Sequence, residues 1–161
     1  MLRYLVILLL TLPLAANAKS EIQTYVVGDT IESFTLQDQH DKTFTPDEST
    51  KFILFTTGMN GGKVVRKAID KETADYLSRN NTLFISNISG MPGFIAKTIA
   101  IPSMKKYEYP IILDKEGIVT EKFPSQKDSV TIIQLDHLKI ESIDYTNSPD
   151  KITQVINQQS K

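Results

Sequence analysis

The stretch Lys51–Ala68, KFILFTTGMNGGKVVRKA, decides the fold of this chain. Its first part, Phe52–Thr57, is a continuous run of apolar and β-branched residues, which is typical of a strand buried on both faces. Gly58–Gly62 follows as a glycine-rich segment, and the pattern then changes to helical periodicity. We therefore predict a buried strand, a loop and the first turns of a helix over these residues.

The composition limits the chemistry that the chain can perform. It has 161 residues and a net charge of −1, which suits one domain around a single core. No block of like charge stands out, so no nucleic-acid partner is implied. The chain contains no cysteine. Disulfide exchange, thiol peroxidase chemistry and Cys-ligated metal clusters are therefore excluded, because each requires a thiolate.

The first 18 residues, MLRYLVILLLTLPLAANA, have the pattern of a secretory signal peptide. Arg3 supplies a positive charge, Leu5–Leu12 is apolar, and Ala16-Asn17-Ala18 fits a small-residue cleavage site. We predict cleavage after Ala18, an exported protein, and one domain over residues 19–161. The apolar run is shorter than the roughly 20 residues that span a bilayer, so no membrane insertion is expected after cleavage. The alternative is an uncleaved membrane anchor.

Downstream patterns predict alternating strands and helices. Ser33–Thr45 contains two short extended runs around a polar turn, Gln37–Lys42, and indicates a hairpin. One helix is predicted over Gly61–Asn81, with i,i+4 ion pairs Arg66/Asp70 and Asp75/Arg79 on its polar face. Thr82–Ile88 is a second buried strand, so strand, helix and strand form a parallel βαβ unit.

The second half of the chain predicts one more strand, a hairpin and two further helices. Pro92 can begin a helix that Pro102 breaks or restarts. Tyr109–Leu113 is a third apolar run, and residues 130–145 indicate an antiparallel hairpin. Ser148-Pro149 provides the N-cap and first residue of a terminal amphipathic helix. The fold class expected is α/β, with a mixed central sheet, helices on both faces and an N-terminal β-hairpin extension.

Several of these motifs together resemble the thioredoxin-like fold of peroxiredoxins and TlpA-type thioredoxins. Gly28–Leu36 is similar to the entry segment of that superfamily, and Tyr109–Asp114 followed by Gly117 is similar to its P-v-l-x-D-x-x-G segment. The resemblance implies a thioredoxin-like fold from about Gly28 to the C-terminus. It also implies two functional features, and this chain has neither. Gly58–Gly62 stands where the redox cysteines would be, and no proline occurs near Ser129-Val130, where a cis-proline would be.

A narrower resemblance is to the bacterial periplasmic YtfJ family. It rests on the signal peptide, the cysteine-free loop, Pro92 with Phe94, Lys106–Pro110, and Ser129–Asp136. That family is a cysteine-less thioredoxin-fold group with no firmly assigned activity. The resemblance implies a periplasmic location and adds little about mechanism.

The candidate binding residues cluster around the loop that replaces the cysteines. They are Gly58, Met59, Asn60, Gly61, Gly62, Lys63, Met91 and Ser129. Backbone N–H groups at the start of the helix could hold an anion, with Lys63 and Arg66 as reinforcement. Alternatively, the glycines only shape the turn between strand and helix.

Met59, Met91 and Met104 form a second candidate, because loops could bring them together at one end of the sheet. Thioethers favour Cu(I), and the alternative is that these side chains fill gaps in packing. His40 and His137 lie in polar turns and are expected to be exposed. The sequence predicts no catalytic residue, no metal and no cofactor.

Three functions remain open at this point. The preferred hypothesis is a non-catalytic binding or interaction protein of the bacterial cell envelope, whose partner is an envelope protein or peptide. The second is a thiol-independent enzyme or copper carrier that uses the same face. The third is a structural or stress-related periplasmic protein whose site is vestigial.

Overall fold

The computed structural model describes residues 22–159. The predicted signal peptide and the cleavage site after Ala18 lie outside these residues. Within the described part, no helix is both long enough and apolar enough to cross a membrane.

A seven-stranded mixed sheet forms the centre of the described domain, in the order β2-β1-β5-β4-β3-β6-β7. Strands β3, β4 and β5 are parallel to one another, and the remaining neighbours pair antiparallel. The short pair β1–β2 is the predicted N-terminal hairpin, and β6–β7 is the predicted C-terminal one. The strands are β1 Leu36–Asp38, β2 Thr43–Phe44, β3 Phe52–Thr57, β4 Thr82–Asn87, β5 Ile112–Asp114, β6 Val130–Asp136 and β7 Lys139–Thr146.

The helix predicted over Gly61–Asn81 is wrong in both its start and its continuity. It begins two residues earlier, as α1 (Met59–Ile69), and a turn separates it from α2 (Tyr76–Arg79). The break follows Asp70, and the amide of Glu72 already bonds the carbonyl of Ile69. Thr73 and Asp75 bond to each other through their side chains, so they compete with helical pairing of the backbone.

A helix with a π-helical turn in its middle connects β4 to β5. It consists of α3 (Gly93–Ile95), a π-turn (Ala96–Ala100) and α4 (Ile101–Met104), and Pro92 precedes it as predicted. Pro102 does not break this helix but lies in the first turn of α4, where the chain returns from the π-turn to α-helical geometry, so the structure supports the alternative that the helix restarts there. Proline has no N–H, and its ring would clash with the carbonyl four residues earlier in a regular α-helix. The wider π-turn just before Pro102 is the arrangement that accommodates both effects.

Alternate residues of the central strands pack on opposite faces of the sheet. Phe52 and Leu54 lie in a core with the buried residues of α1, α2, the π-turn and α5 (Pro149–Gln159). Ile53 and Phe55 lie in a second core on the other face. The predicted sheet and hairpin are therefore confirmed, and the structure refines the arrangement of the helices.

Irregular segments, not a helix, cover the second face in the described part of the chain. Phe123 lies at the centre of this cover, with edge-on contacts to Tyr25, Phe34 and Phe55 at ring-centre distances of 5.7, 5.9 and 5.2 Å. Such aromatic pairs add stability beyond the area they bury. Within residues 22–159, every helix therefore stands on the first face, which carries the candidate site, and not on both faces of the sheet as predicted.

The N-terminal hairpin buries the polar side chain of Gln39 at its turn, whereas residues 40–42 of the same turn are exposed. Gln39 is only 1% exposed. Its amide nitrogen donates to the carbonyl of Tyr109 at 2.9 Å, and its amide oxygen accepts from the N–H of Ile111 at 2.7 Å. One side chain thus takes the place of a strand partner for the segment that leads into β5.

Candidate functional site

Gly58 is the only residue of the predicted Gly58–Gly62 loop that is not helical. It precedes α1 with φ 93° and ψ 179°, a combination that is essentially restricted to glycine. Met59–Gly62 form the first turn of the helix. The loop prediction is therefore wrong for Met59 and Asn60, whereas Gly61 and Gly62 are helical, as the predicted start of the helix at Gly61 requires. The candidate anion site is therefore the N-terminus of α1, and the backbone conformation that precedes it requires glycine at position 58.

Gly61 allows α1 to approach the segment before β6. A Cβ atom at Gly61 would lie 2.6 Å from the backbone oxygen of Ser129 and 3.2 Å from the side chain of Thr56. The structure thus brings together two of the predicted site residues, Gly61 and Ser129. Their contact is one of backbone against backbone, and it fixes the position of the helix.

We expect Gly61→Ala to lower the free energy of unfolding by about 2 kcal/mol, because the methyl group would push the helix away from Ser129. Gly62→Ala is the matched control, because nothing lies within 4 Å of a Cβ at that position. It should raise stability by about 0.5 to 1 kcal/mol, since alanine is the better helix former. Urea unfolding of the two variants measures the difference. Equal effects of the two changes would contradict this account of Gly61.

Asn60 also faces the segment before β6. Its side-chain amide donates to a carboxylate oxygen of Asp128 at 2.9 Å. The start of α1 is therefore held against the segment before β6 by the contacts of Asn60 with Asp128 and of Gly61 with Ser129. The other predicted site residues, Gly58, Met59, Gly62, Lys63 and Met91, line a cavity.

This cavity is a groove of about 870 Å³ on the first face of the sheet, at the carboxyl ends of β3 and β4. Helix α1 forms one wall, the helix from Gly93 to Met104 forms the other, and Phe84, Ser86 and Asn87 of β4 lie at its base. We call it the groove. Its remaining lining residues are Thr57, Gly58, Met59, Gly62, Lys63, Arg66, Ile88, Ser89, Gly90, Met91, Ile95, Ile99, Ala100, Ser103, Met104, Tyr107 and Ile111.

Large apolar side chains at the groove are open to solvent. Met59 is 70% exposed, Ile99 61% and Ile95 40%, and the neighbouring Phe94 is 75% exposed. An apolar surface of this kind on one concave face is typical of a binding site. The predicted convergence of the methionines is confirmed, because Met59, Met91 and Met104 all line the groove.

Arg66 does not form the predicted ion pair with Asp70. Its guanidinium lies over the ring of Tyr107, 5.6 Å from the ring centre. Tyr107 in turn stacks on Tyr109, whose hydroxyl donates to Asp70 at 3.3 Å. Burial, followed by the negative charge of Asp70, raises the pKa of Tyr109, which stays neutral at physiological pH. The second predicted pair, Asp75 with Arg79, is present at 3.9 Å.

A hydrogen-bonded network supports the end of β4 beside the groove. Asn87 donates to the hydroxyl of Thr120 at 2.8 Å and accepts from the N–H and hydroxyl of Ser89. Thr120 donates through both its N–H and its hydroxyl to the buried carboxylate of Asp114. The polar groups at the base of the groove are thus already engaged with one another. The Asp114–Gly117 motif is recognisable in the sequence, but its link to Asn87 through Thr120 could not be predicted from it.

Both histidines are exposed, as predicted. His137 contacts only its neighbour Asp136, at 3.0 Å. Within residues 22–159, no group of three or more His, Cys, Asp or Glu residues is arranged to hold a metal ion.

The fold is thioredoxin-like, and solved structures of that class share it with this chain. A putative protein disulfide isomerase from Bacteroides thetaiotaomicron has a TM-score of 0.57 and 17% identity, with 84% of this chain and 88% of that chain covered. Peroxidoxin BcpB from Mycobacterium tuberculosis has a TM-score of 0.53 and 16% identity, covering 81% and 92%. A thiol peroxidase from Chromobacterium violaceum has a TM-score of 0.51 and 12% identity, with 86% of this chain and 90% of that chain covered.

At these identities the likeness establishes the fold alone. Comparison with protein families found no match for this chain. Comparison with curated proteins found none either. The named neighbours are thiol enzymes, whereas this chain has no thiol.

Proposed function

We propose that this protein is a non-catalytic binding protein of the bacterial cell envelope, and that the groove is its binding site. The observation that carries the proposal is the groove itself, an open apolar cavity of about 870 Å³ in a scaffold without thiols. Its volume lies in the range of small-molecule sites, about 300 to 1,000 Å³. An apolar ligand, or apolar side chains of an envelope protein or peptide, would cover the exposed Met59, Ile95 and Ile99.

Export to the periplasm and membership of the YtfJ family belong to the same proposal. They are supported by the signal-peptide pattern of Met1–Ala18 and by the motifs around Lys106–Pro110 and Ser129–Asp136. Cell fractionation and N-terminal sequencing of the expressed protein test the location. A mature N-terminus at Lys19 in the periplasmic fraction is the expected result, and an uncleaved protein in the cytoplasm would contradict it.

A neutral apolar fluorescent probe, N-phenyl-1-naphthylamine, tests whether the groove binds apolar ligands. We expect saturable binding by the purified mature protein. Ile99→Glu should weaken it by about tenfold or more, because a carboxylate in the groove opposes apolar burial. Ile118→Glu is the matched control, since Ile118 is similarly exposed at 68% and lies outside the groove. Absence of saturable binding, or equal effects of both changes, would refute a binding role for the groove.

The convergence of three methionines favours a copper carrier as a second candidate function. Met59, Met91 and Met104 line one cavity, and thioethers are ligands that suit Cu(I). Titration of the protein with Cu(I) against a competing chelator is the test. A copper carrier should bind one equivalent and lose it when the three methionines are replaced by leucine. Failure to compete with the chelator would exclude this candidate.

A further inference from the structure

We propose that the ligand of the groove is a free long-chain carboxylate: its single acyl chain lies along the apolar lining and its carboxylate lies at Lys63 and Arg66. This inference rests on the proposed function, because it names the class of ligand that the groove would hold. Three features of the groove support it: the sign of its charges, the availability of Lys63 and Arg66, and the state of its polar groups.

The charged residues that line the groove are all basic. Among the residues that line it, the charged ones are Lys63 and Arg66, and no acidic residue is present. The two helical walls, Met59–Ile69 and Gly93–Met104, carry in addition Lys67 and Lys97, again without an acidic residue. In the chain as a whole, by contrast, 18 basic residues are balanced by 19 acidic ones. An anionic group is therefore complementary to this part of the surface.

Lys63 and Arg66 are available to an anion. They are three residues apart on α1, so their side chains are neighbours on one face of the helix. Within residues 22–159 the side chain of Lys63 makes no hydrogen bond or ion pair, and Arg66 contacts the ring of Tyr107 without an acidic partner. The nearest candidate partner for Arg66, Asp70, accepts its hydrogen bond from Tyr109 instead. A carboxylate would thus meet two cations that no carboxylate of the protein neutralises.

The polar groups at the base of the groove favour a hydrocarbon chain over a polypeptide. Ser89 and Asn87 bond to each other, Asn87 also bonds Thr120, and the hydroxyl of Ser86 accepts from Thr56. Strand β4 pairs on both sides, with β3 and β5, so it offers no edge to an added strand. A peptide in the groove would bury backbone groups without partners, which is costly. An acyl chain carries no such groups.

Competition between two ligands of equal chain length tests the proposal. Dodecanoate and 1-dodecanol, both kept below their aggregation concentrations, are titrated against the bound N-phenyl-1-naphthylamine. We expect dodecanoate to bind about tenfold or more tightly than dodecanol, because only the carboxylate pairs with Lys63 and Arg66. Lengthening the carboxylate should increase affinity by up to about fourfold per added methylene until the groove is filled.

Substitutions in α1 distinguish direct pairing of the carboxylate with Lys63 and Arg66 from a general electrostatic attraction to the positive charge of the helix. The double change Lys63→Gln with Arg66→Gln should weaken dodecanoate by about tenfold and leave dodecanol unchanged. Lys63→Gln alone should weaken dodecanoate by about threefold. Lys67→Gln is its matched control, because it also removes one positive charge from α1 but lies outside the groove, and it should have little effect on either ligand. Circular dichroism checks that each variant is folded.

The outcomes distinguish the two proposals. If the neutral probe binds but dodecanoate and dodecanol are equivalent, the carboxylate ligand is refuted and the binding groove survives. If Lys67→Gln matters as much as Lys63→Gln, the placement of the carboxylate is refuted. Preferential binding of apolar peptides, or of anionic vesicles without binding of monomeric dodecanoate, would likewise overturn the proposal. If neither the probe nor any ligand binds, the proposed function fails as well.

Discussion

Replacing Asp114 by alanine is expected to lower the free energy of unfolding by about 4 kcal/mol, the largest effect of any substitution discussed for this protein. Asp114 is 2% exposed. Its carboxylate accepts from the N–H of Gly117 at 2.8 Å, and from the N–H and hydroxyl of Thr120 at 2.8 and 2.9 Å. Alanine would leave these donors without partners, and buried donors without partners are costly.

The geometry of this turn also explains why a glycine stands three residues after Asp114. Gly117 has φ 78°, and a Cβ there would lie 2.6 Å from the hydroxyl oxygen of Ser89. The bonds of Asp114 therefore hold the turn against the wall of the groove. Loosening the turn should weaken binding of the neutral probe as well as stability.

Urea or thermal unfolding measures the effect of Asp114→Ala. Asp114→Asn keeps the shape and one acceptor oxygen, so we expect roughly half of the loss, about 2 kcal/mol. Glu116→Ala removes an exposed acidic side chain from the same turn and should stay within about 0.5 kcal/mol of the wild type. A loss of less than about 1 kcal/mol for Asp114→Ala would mean that water replaces the carboxylate, contrary to this account.

Gln39→Ala is the second substitution with a large expected effect, a loss of about 3 kcal/mol. It would remove both the donor to Tyr109 and the acceptor for Ile111, and it would leave a cavity at a position that is 1% exposed. Because these two partners lead into β5, the hairpin β1–β2 and the edge of the sheet should be loosened together.

Hydrogen exchange and urea unfolding check this prediction. The amide of Ile111 should lose its protection, while the amides of β3 keep theirs. Gln39→Glu retains an acceptor for Ile111 but turns an oxygen towards the carbonyl of Tyr109. Burial beside the carbonyl of Tyr109 favours the protonated form of the introduced carboxyl group and raises its pKa in the folded state above the unfolded value of about 4.3. The stability of this variant should therefore rise as pH falls from neutral and level off near pH ~4.3. His40→Ala, on the exposed side of the turn, is the control, and an equal loss there would contradict the role assigned to Gln39.

The sequence predicted those elements in which local pattern and tertiary packing agree. The apolar run Phe52–Thr57 is a buried strand because both of its faces carry apolar side chains, and both hairpins follow from alternation and turn residues. The helix is expected to begin only at Gly61, because the preceding Met59-Asn60 lies in a segment rich in asparagine and glycine, which are poor helix formers. The packing of Gly61 against Ser129 outweighs that preference, and no local pattern reveals it.

Other features depend on partners distant in the sequence. Gln39 is a polar residue in a polar turn, so nothing near it indicates that it is buried. The i,i+4 spacing predicts an ion pair between Arg66 and Asp70. In the structure, Arg66 lies over the ring of Tyr107 and Asp70 accepts from the hydroxyl of Tyr109, and both tyrosines come from a distant segment. The proximity of Met59 and Met91 was predictable, because they follow β3 and β4, whose carboxyl ends meet at one edge of the sheet. Met104 ends the helix between β4 and β5, and only the tertiary structure places it in the same groove.

The π-turn Ala96–Ala100 links one wall of the groove to Pro102, which follows it in the chain. A π-turn arises when one residue is inserted into an α-helix, and it shifts the facing of everything on one side of the insertion relative to the other. Met104 lies after the π-turn, whereas Ile95 lies before it and Ile99 within it, so the facing of the two isoleucines relative to Met104 depends on that turn. Removing the inserted residue would restore the α-helical repeat but would bring the ring of Pro102 against a preceding carbonyl. Pro102 and the π-turn are thus coupled: deleting one residue of Ala96–Ala100 would rearrange this wall of the groove, and a stable helix would then require a change at Pro102 as well.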